Sequence, residues 1–266
     1  IAEGTWNSRI TVYDDSSLSA SATLFIGIDR TGPTLSGVTV GDGSNWQKST
    51  QVTLSGLINN ADDGQGSGVS SAEYSLDGTI WNTTSSDSLI LTLAEGVHSI
   101  SVRSVDRVGN TGATSQVVVQ VDDTLPDAVG WTVDELTTSR TEPANVSFSA
   151  IDAGSGIDMA NSYLQFGFDS NGVGQTPDLS TNWMQLGTSG LSSSIGLASW
   201  ATKSRQYLML QAVVVDNAGN QYTSSPSSYQ ILPGLDLYWN TTQTNLDRLI
   251  VRPGETDGNI TITSVL

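Results

Sequence analysis

The chain has no cysteine and only one histidine, His98. Without cysteine it has no disulfide framework, no thiolate nucleophile and no cysteine-ligated zinc or iron–sulfur site. His98 falls on the inward phase of an alternating segment, so we expect it to be buried or half-buried rather than a catalytic base. We therefore expect no enzyme activity. Paired carboxylates alone could still support hydrolysis, and composition does not exclude that chemistry.

Basic residues are also scarce, because 10 lysines and arginines stand against 27 aspartates and glutamates, for a net charge of -17. Nucleic acids and anionic membrane surfaces would repel this charge, so neither is expected as a partner. Cations are the natural partners. No apolar run approaches the roughly 20 residues of a membrane-spanning helix, so we expect no span in this segment.

The residues that are abundant favour strands and turns. The chain contains 38 serines, 30 threonines and 27 glycines, and its acids comprise 21 aspartates but only 6 glutamates. Threonine and valine favour strands, whereas aspartate, glycine, serine and asparagine favour turns. This composition predicts an all-β fold.

Three similar segments repeat along the chain, and each predicts a hairpin. Asp14, Asp106 and Asp216 follow alternating strands and lie 92 and 110 residues apart, which is the length of a β-sandwich domain. The second and third turns have the pattern Asp-x-x-Gly-Asn, whereas the first reads Asp-Asp-Ser-Ser-Leu. Each return strand ends at an X-Pro pair that stops further pairing, at Pro33, Pro126 and Pro233.

The alternation predicts which face of each hairpin is buried. One face of the second copy carries His98, Ile100, Val102 and Ser104, and one face of the third carries Leu208, Leu210, Ala212 and Val214.

A second repeat precedes the later two hairpins. An Asp/Gly-rich loop over 63–69 or 152–157 leads to a strand, an Asp-Gly or Asp-Ser turn and then Trp81 or Trp183. Alternating strands at 51–57 and 145–151 come before these loops. The resulting count of about seven short strands per repeat predicts a sandwich.

This order of motifs resembles tandem bacterial and archaeal immunoglobulin-like domains of cell-surface proteins. The resemblance covers roughly residues 1–233. Residues 249–263 are instead similar to the opening strands of a CARDB-type domain. The resemblance implies tandem immunoglobulin-like β-sandwiches joined by short proline-containing linkers.

The repeat predicts four regions. Residues 1–33 would supply the last strands of an incomplete immunoglobulin-like domain, and 34–125 a complete one. Residues 126–233 would form another, with an insertion near 171–180, and 234–266 the first strands of an incomplete CARDB- or immunoglobulin-like domain. The incomplete regions have two explanations: the chain is part of a longer array, or copies complete one another by strand addition into a filament.

The acidic loops suggest a cation site. The loop after the second strand and the final hairpin turn share one pole of an immunoglobulin-like sandwich, so their aspartates would meet those of the incoming linker. Clustered carboxylates are typical Ca²⁺ ligands. The alternative is that these aspartates only cap turns, since no strict calcium-loop spacing is present. The candidates at the two interdomain junctions are Asp29, Asp62, Asp63 and Asp106, and Asp122, Asp123, Asp127, Asp152 and Asp216.

Two other features suggest surface chemistry. Candidate N-glycosylation sites are Asn82, Asn145, Asn240 and Asn259. Repeated tryptophans in sandwiches are typical of packing, but Trp46, Trp200 and Trp239 fall in less periodic sequence and are candidate glycan contacts.

Together these patterns predict a structural segment of a long extracellular or cell-surface protein: a stalk, surface-layer, filament or adhesin component. Its partners would be neighbouring immunoglobulin-like domains or copies of the same protein, with surface glycans a further candidate. The alternative is a glycan-binding or accessory module of a secreted enzyme.

Overall fold

The computed structural model describes residues 2–136, 143–170, 173, 176–178, 183–196 and 206–232. The regular structure of these residues is entirely β, which confirms the predicted fold class of tandem immunoglobulin-like sandwiches. The residues form two units. The first contains the described residues up to Leu125 together with loops 152–156 and 216–220, and the second contains the other described residues from Pro126 onward.

The first two strands form a hairpin. Strands β1 (Gly4–Tyr13) and β2 (Ser19–Ile28) pair antiparallel from Gly4–Ile28 to Tyr13–Ser19, and they make a two-stranded sheet of their own.

The first sandwich follows within the same unit. One sheet has the order β10-β6-β4 and the other β5-β12-β11-β8-β9, while β3 pairs with β7. The strand β5 joins β12 in parallel, and the other pairs are antiparallel. The strands are β3 (Thr34–Leu35), β4 (Thr39–Val40), β5 (Trp46–Gln47), β6 (Gln51–Ser55), β7 (Ala61–Asp62), β8 (Val69–Ser75), β9 (Asn82–Thr84), β10 (Ser88–Thr92), β11 (Gly96–Asp106) and β12 (Ser115–Val121).

The core of this sandwich lies between its two sheets. Val52 and Leu54 of β6 meet Ile100 and Val102 of β11, and all four side chains are fully buried because alternate residues of a strand face the same side. This confirms the inward face predicted for β11. His98 is half-buried, as expected, and its Nε2 lies 2.7 Å from the carbonyl oxygen of Ala94.

The second unit contains another sandwich. One sheet has the order β13-β14-β17, and the other has the order β16-β15-β18-β19, with β20 also paired to β18. The strands are β13 (Asp127–Val133), β14 (Ala144–Ile151), β15 (Tyr163–Asp169), β16 (Met184–Leu186), β17 (Ser192–Ile195), β18 (Gln206–Val215), β19 (Gln221–Thr223) and β20 (Ser227–Ile231).

The second sandwich has its own core, built around Phe168 of β15 and the inward residues of β18. The predicted inward face of β18 is confirmed, because Leu208, Leu210, Ala212 and Val214 are fully buried. The two buried clusters share no residue. The repeats therefore correspond to separate hydrophobic cores rather than to parts of one.

The three hairpins close with the same turn. Asp14 Oδ1 accepts hydrogen bonds from the backbone N–H groups of Ser16 and Leu18, at 2.9 and 2.8 Å, and the later hairpins repeat this pattern. Gly109 and Gly219 occupy the left-handed position of their turns at φ 94° and 88°. Ser17 takes that position in the first turn at φ 64°, so the turn forms without the expected glycine.

Some predictions fall outside the described residues. These are the CARDB-like piece at 234–266, Asn240, Asn259, Trp200 and Trp239, and most of the insertion near 171–180. None of the described residues forms a helix with the length and apolar character needed to cross a bilayer.

Because each sandwich has its own core, a cavity in one core should destabilise that sandwich and not the other. Replacing the fully buried Leu54 with alanine should destabilise the first sandwich by about 2–5 kcal/mol, because it removes apolar contacts and leaves a cavity. Ile90→Ala on neighbouring strand β10 deletes as many carbons from a side chain that is 66% exposed, and should change stability by no more than about 0.5 kcal/mol.

Native-state hydrogen exchange checks this response. In the Leu54→Ala chain the amides of β11 should lose protection while those of β18 keep it. Equal loss in both strands would contradict separate cores.

Candidate metal-binding carboxylate clusters

Six of the nine aspartates proposed as cation ligands gather into two triads. Asp29, Asp63 and Asp106 form the first triad, and Asp122, Asp152 and Asp216 form the second. In each triad one carboxylate oxygen from every member lies within 4.8 Å of the other two. The members occupy equivalent places: the residue after a return strand, the Asp/Gly loop, and the hairpin turn.

Backbone N–H groups of the Asp/Gly loop fix the first triad. Ser67 donates its backbone N–H to Asp29 Oδ2 at 2.6 Å, and Gly68 donates to Asp63 Oδ2 at 2.6 Å. Asp29 is thereby tied to a loop 38 residues further along the chain.

The second triad repeats these bonds. Ser155 donates its N–H to Asp122 Oδ2 at 2.7 Å, and Gly156 donates to Asp152 Oδ2 at 2.5 Å. Thr124 adds bonds from its N–H and hydroxyl to Asp122 Oδ1. The recurrence of the same contacts shows that the repeats share loop geometry as well as sequence.

The hairpin aspartate of each triad is buried, as is Asp122 of the second. Asp106 and Asp216 are 2% and 1% exposed. Oδ1 of each caps two backbone N–H groups of its turn, and Oδ2 accepts the side-chain amide of Asn110 or Asn220. The turn-capping role predicted for these aspartates is confirmed.

Glycine is required where the loop backbone passes the carboxylates. A Cβ on Gly66 would lie 2.5 Å from Asp63 Oδ2 and 2.8 Å from Asp29 Oδ2. A Cβ on the equivalent Gly154 would lie 2.6 Å from Asp122 Cγ. Any larger residue would displace the carboxylates from their present positions.

Hydrogen bonding keeps the linker aspartates ionised. The hydrogen bond from the backbone N–H of Ser67 lowers the pKa of Asp29 below its usual value. Burial pushes the pKa of Asp122 upward, but the hydrogen bonds from Ser155 and Thr124 outweigh it, so this pKa is also lowered. Both linker carboxylates are therefore available as anionic ligands at neutral pH.

The two triads differ in the charges around them. Arg107 follows Asp106 in the first triad and points a guanidinium nitrogen at the Ser67 carbonyl oxygen, at 3.5 Å. The equivalent residue in the second triad is the neutral Asn217, whose amide donates to the carbonyls of Ser155 and Gly156. In the linkers, Arg30 of the first repeat corresponds to Asp123 of the second. The surroundings of the second triad are therefore the more negative.

Two glutamates beside the linkers escaped the sequence prediction. Glu3 Oε2 accepts the Thr31 hydroxyl at 2.6 Å. Glu95 interacts with Thr124 in the equivalent place, and its pKa is raised by burial and by the charges of Asp122 and Asp123. Ala-Glu-Gly before each of the first two hairpins and Asp-x-Thr after it are the sequence features that could have identified this contact.

Three candidate ligands lie outside both triads within the described part of the chain. Asp62 is exposed and its Oδ1 caps the N–H of Gly64 instead. Consecutive residues of an extended chain point to opposite sides, so only Asp63 of this pair turns inward. Asp123 is exposed next to Glu95, and Asp127 is exposed at the start of β13.

Two candidate N-glycosylation sites, Asn82 and Asn145, lie within the described residues, and they differ in the hydrogen bonding of their side-chain amides. Asn82 is exposed at the start of β9. Asn145 is exposed on β14, and its Nδ2 donates to Asp134 Oδ2 at 3.0 Å. Both remain predicted sites of modification.

Two of the described tryptophans, Trp81 and Trp131, pack against other side chains. The guanidinium of Arg103 lies 4.0 Å from the centroid of the Trp81 ring and pairs with Glu73 at 2.7 Å. Trp46, a candidate glycan contact, is half-buried on β5. Its role in glycan binding stays a prediction.

Comparison with known proteins gives resemblance in fold but no family. No family model matches the chain, and no curated protein matches it. Among solved structures, the FN1–FN3 domains of chicken CNTN1 are 13% identical, with a TM-score of 0.39 over 81% of this chain and 71% of that one. The fibronectin(III)-like modules of Clostridium thermocellum CbhA are 14% identical, with a TM-score of 0.36 over 74% and 95%.

A third similar structure belongs to a 1.5-MDa bacterial ice-binding adhesin. It is 16% identical, with a TM-score of 0.37 over 88% of this chain and 76% of that one. At these identities and scores, the functional argument rests on the geometry of the chain itself.

The raised pKa of Glu95 predicts a stabilising substitution. Its ionised form is disfavoured in the folded chain, so its contribution to stability falls as the pH rises from the unfolded pKa through the raised folded pKa. In the presence of a chelator, Glu95→Gln should therefore raise Tm at pH 7 and have less effect at pH 4. Thermal unfolding followed by circular dichroism measures this.

Glu3→Gln is the matched control, because it removes the equivalent carboxylate beside a linker that carries Arg30 instead of Asp123. It should not raise Tm. An equal rise for both variants, or no rise for Glu95→Gln at pH 7, would contradict the assigned repulsion.

Proposed function

We propose that the chain is a non-catalytic structural segment of a long extracellular or cell-surface protein, serving as a stalk, adhesin, filament or surface-layer component. Two sandwiches with separate cores support this proposal, because in a repeat array each repeat contributes its own stability. The strongly acidic composition suits a segment that must stay soluble in salt-rich surroundings.

The single observation that carries the proposal is the fixed course of the linkers. Gly32 and Pro33 pass so close to Thr111 and Gly112 that a Cβ on either glycine would overlap the opposing backbone. In the next repeat, Asn220 donates its side-chain amide to the carbonyl of Asp122 at 2.8 Å. Linker residues held this way suit a structural segment.

We further propose that the triads bind Ca²⁺. The donor set is made of carboxylate oxygens, the ligands this ion prefers. Two ligands of one Ca²⁺ can be at most about 5 Å apart, since each lies about 2.3–2.6 Å from the ion. The oxygens of each triad meet this limit.

The hydrogen bonds leave room for the ion. A carboxylate oxygen offers two lone pairs, and Oδ2 of Asp122, Asp152 and Asp216 each accepts one hydrogen bond. Each Oδ2 thus keeps one lone pair. Because Ca²⁺ takes six to eight oxygens, water must complete the shell, and we expect the weak affinity of extracellular modules, with Kd of about 10⁻⁴ to 10⁻³ M.

Calcium should stabilise the chain if this proposal is correct. At 10 mM CaCl₂ the melting temperature of the 266-residue chain should exceed that in EGTA by about 3–10 °C, because the folded state alone presents the triads. Scanning calorimetry measures the shift, and isothermal titration measures the affinity. An equal melting temperature in CaCl₂ and EGTA would refute the calcium proposal, and the aspartates would then serve only as turn caps.

Variants separate ligand binding from turn capping. Asp216→Asn and Asp14→Asn alter the same kind of turn, but only Asp216 belongs to a triad. Asp216→Asn should reduce the calcium-induced shift, whereas Asp14→Asn should leave it intact. Equal shifts in the two variants would argue against the assigned ligand.

The unequal charges around the triads predict unequal affinities. The second triad should bind the more tightly, since Arg107 lies against the loop of the first. Replacing Arg107 with asparagine copies the second triad and should bring the two affinities closer together in the titration. Tighter binding at the first triad of the unmodified chain would contradict this assignment.

A further inference from the structure

The β1–β2 hairpin presents an apolar face to solvent. On this side Trp6, Ile10, Val12, Leu24 and Ile26 are 38–66% exposed, and we call these five side chains the open face. The opposite side is mostly polar: Arg9 and Thr11, for example, hydrogen-bond Ser21 across the strands. Such alternation is typical of a sheet with one buried face, and an isolated two-stranded hairpin is marginal in water.

The closing hairpin of the first sandwich shows what covers the equivalent face. Gly96 pairs with Val121 as Gly4 pairs with Ile28, and each glycine lies ten residues before its turn aspartate. The positions that match Ile10, Val12, Leu24 and Ile26 are 0–9% exposed under the β10-β6-β4 sheet; they are Val102, Ser104, Val117 and Val119.

The turn supports the same equivalence. Asp14 caps two backbone N–H groups of its turn just as Asp106 does. Ser17 adopts the left-handed conformation of Gly109, although a side chain makes that conformation unfavourable. The fold therefore preserves this hairpin geometry even where the sequence departs from the repeat.

The segment before β1 indicates where the covering sheet comes from. In the first sandwich, Leu93-Ala94-Glu95 is all that separates β10 from β11. Ile1-Ala2-Glu3 has the same pattern immediately before β1. By this equivalence, a strand directly before Ile1 would belong to the sheet facing the hairpin.

We propose that β1–β2 closes a third immunoglobulin-like sandwich, and that a three-stranded sheet from the residues directly N-terminal to Ile1 in the same polypeptide covers the open face. A second copy of the chain is the less suitable source, because its own β10-β6-β4 sheet already packs against β11 and β12. This inference goes beyond the proposed function and does not depend on a bound cation.

Hydrogen exchange tests the proposal on two proteins: the 266-residue chain and the natural polypeptide extended by about 90 residues before Ile1, one repeat length. In the 266-residue chain the β1 and β2 amides should exchange at least about 100-fold faster than those of β11 and β12, since a packed domain opens rarely. In the extended protein the difference should largely disappear, in EGTA as well as in CaCl₂.

Paired variants identify the buried face. Ile10 and Phe25 are 57% and 70% exposed but lie on opposite sides of the hairpin. In the extended protein, Ile10→Asp should abolish the protection of β1 and β2, whereas Phe25→Asp should preserve it. Protection of β11 and β12 serves as the internal reference in both variants.

Several results would overturn the proposal. One is equal exchange of the hairpin in the two proteins, and another is an equal effect of the Ile10 and Phe25 variants. Hairpin protection in the 266-residue chain that grows with concentration, together with a sedimentation mass of twice 28.0 kDa, would assign the face to a second copy. A natural polypeptide that begins at Ile1 would also refute it. None of these results bears on the calcium-dependent melting shift.

Discussion

The structure depends on one interaction above others: buried or half-buried carboxylates that accept backbone N–H hydrogen bonds. Asp106 and Asp216 each cap a hairpin turn, while Asp29 and Asp122 reach across to the Asp/Gly loops. These loops have little secondary structure, so their backbone donors need partners elsewhere. An ionised aspartate supplies such a partner with a short, charge-assisted bond. The same aspartate carboxylates therefore hold both the linkers and the loops in place.

That arrangement concentrates negative charge where the linkers begin. Like charges at close range oppose folding unless hydrogen bonds, cations or salt compensate them. The first repeat places Arg30 and Arg107 near its triad, whereas the second has Asp123 and Asn217 in those positions. The two repeats thus have the same fold but different charges around the equivalent aspartate triad. Ionic strength should therefore affect the stability of the second repeat more strongly.

The repeat made much of the fold and most of the site predictable. Strand alternation identified the inward faces of β11 and β18, and the strand order of an immunoglobulin-like sandwich brings Asp122, Asp152 and Asp216 to one pole, where the triad forms. The choice between Asp62 and Asp63 could not be made from sequence, because it depends on which of two adjacent residues faces the pole. Glu95 was missed for a related reason: its neighbours Asp122 and Asp123 are almost thirty residues away along the chain.

The edge strand that pairs with β18 in the second sandwich is divided into β19 and β20, and this division limits pairing with other molecules. Between β19 and β20, Ser224 exchanges hydrogen bonds with the backbone of Ala212, and Pro226 lacks an N–H altogether. A continuous edge strand offers a template for pairing with another chain, whereas an interrupted one that contains proline does not. This edge of the second sandwich is in this way poorly suited to pairing with a strand of another molecule.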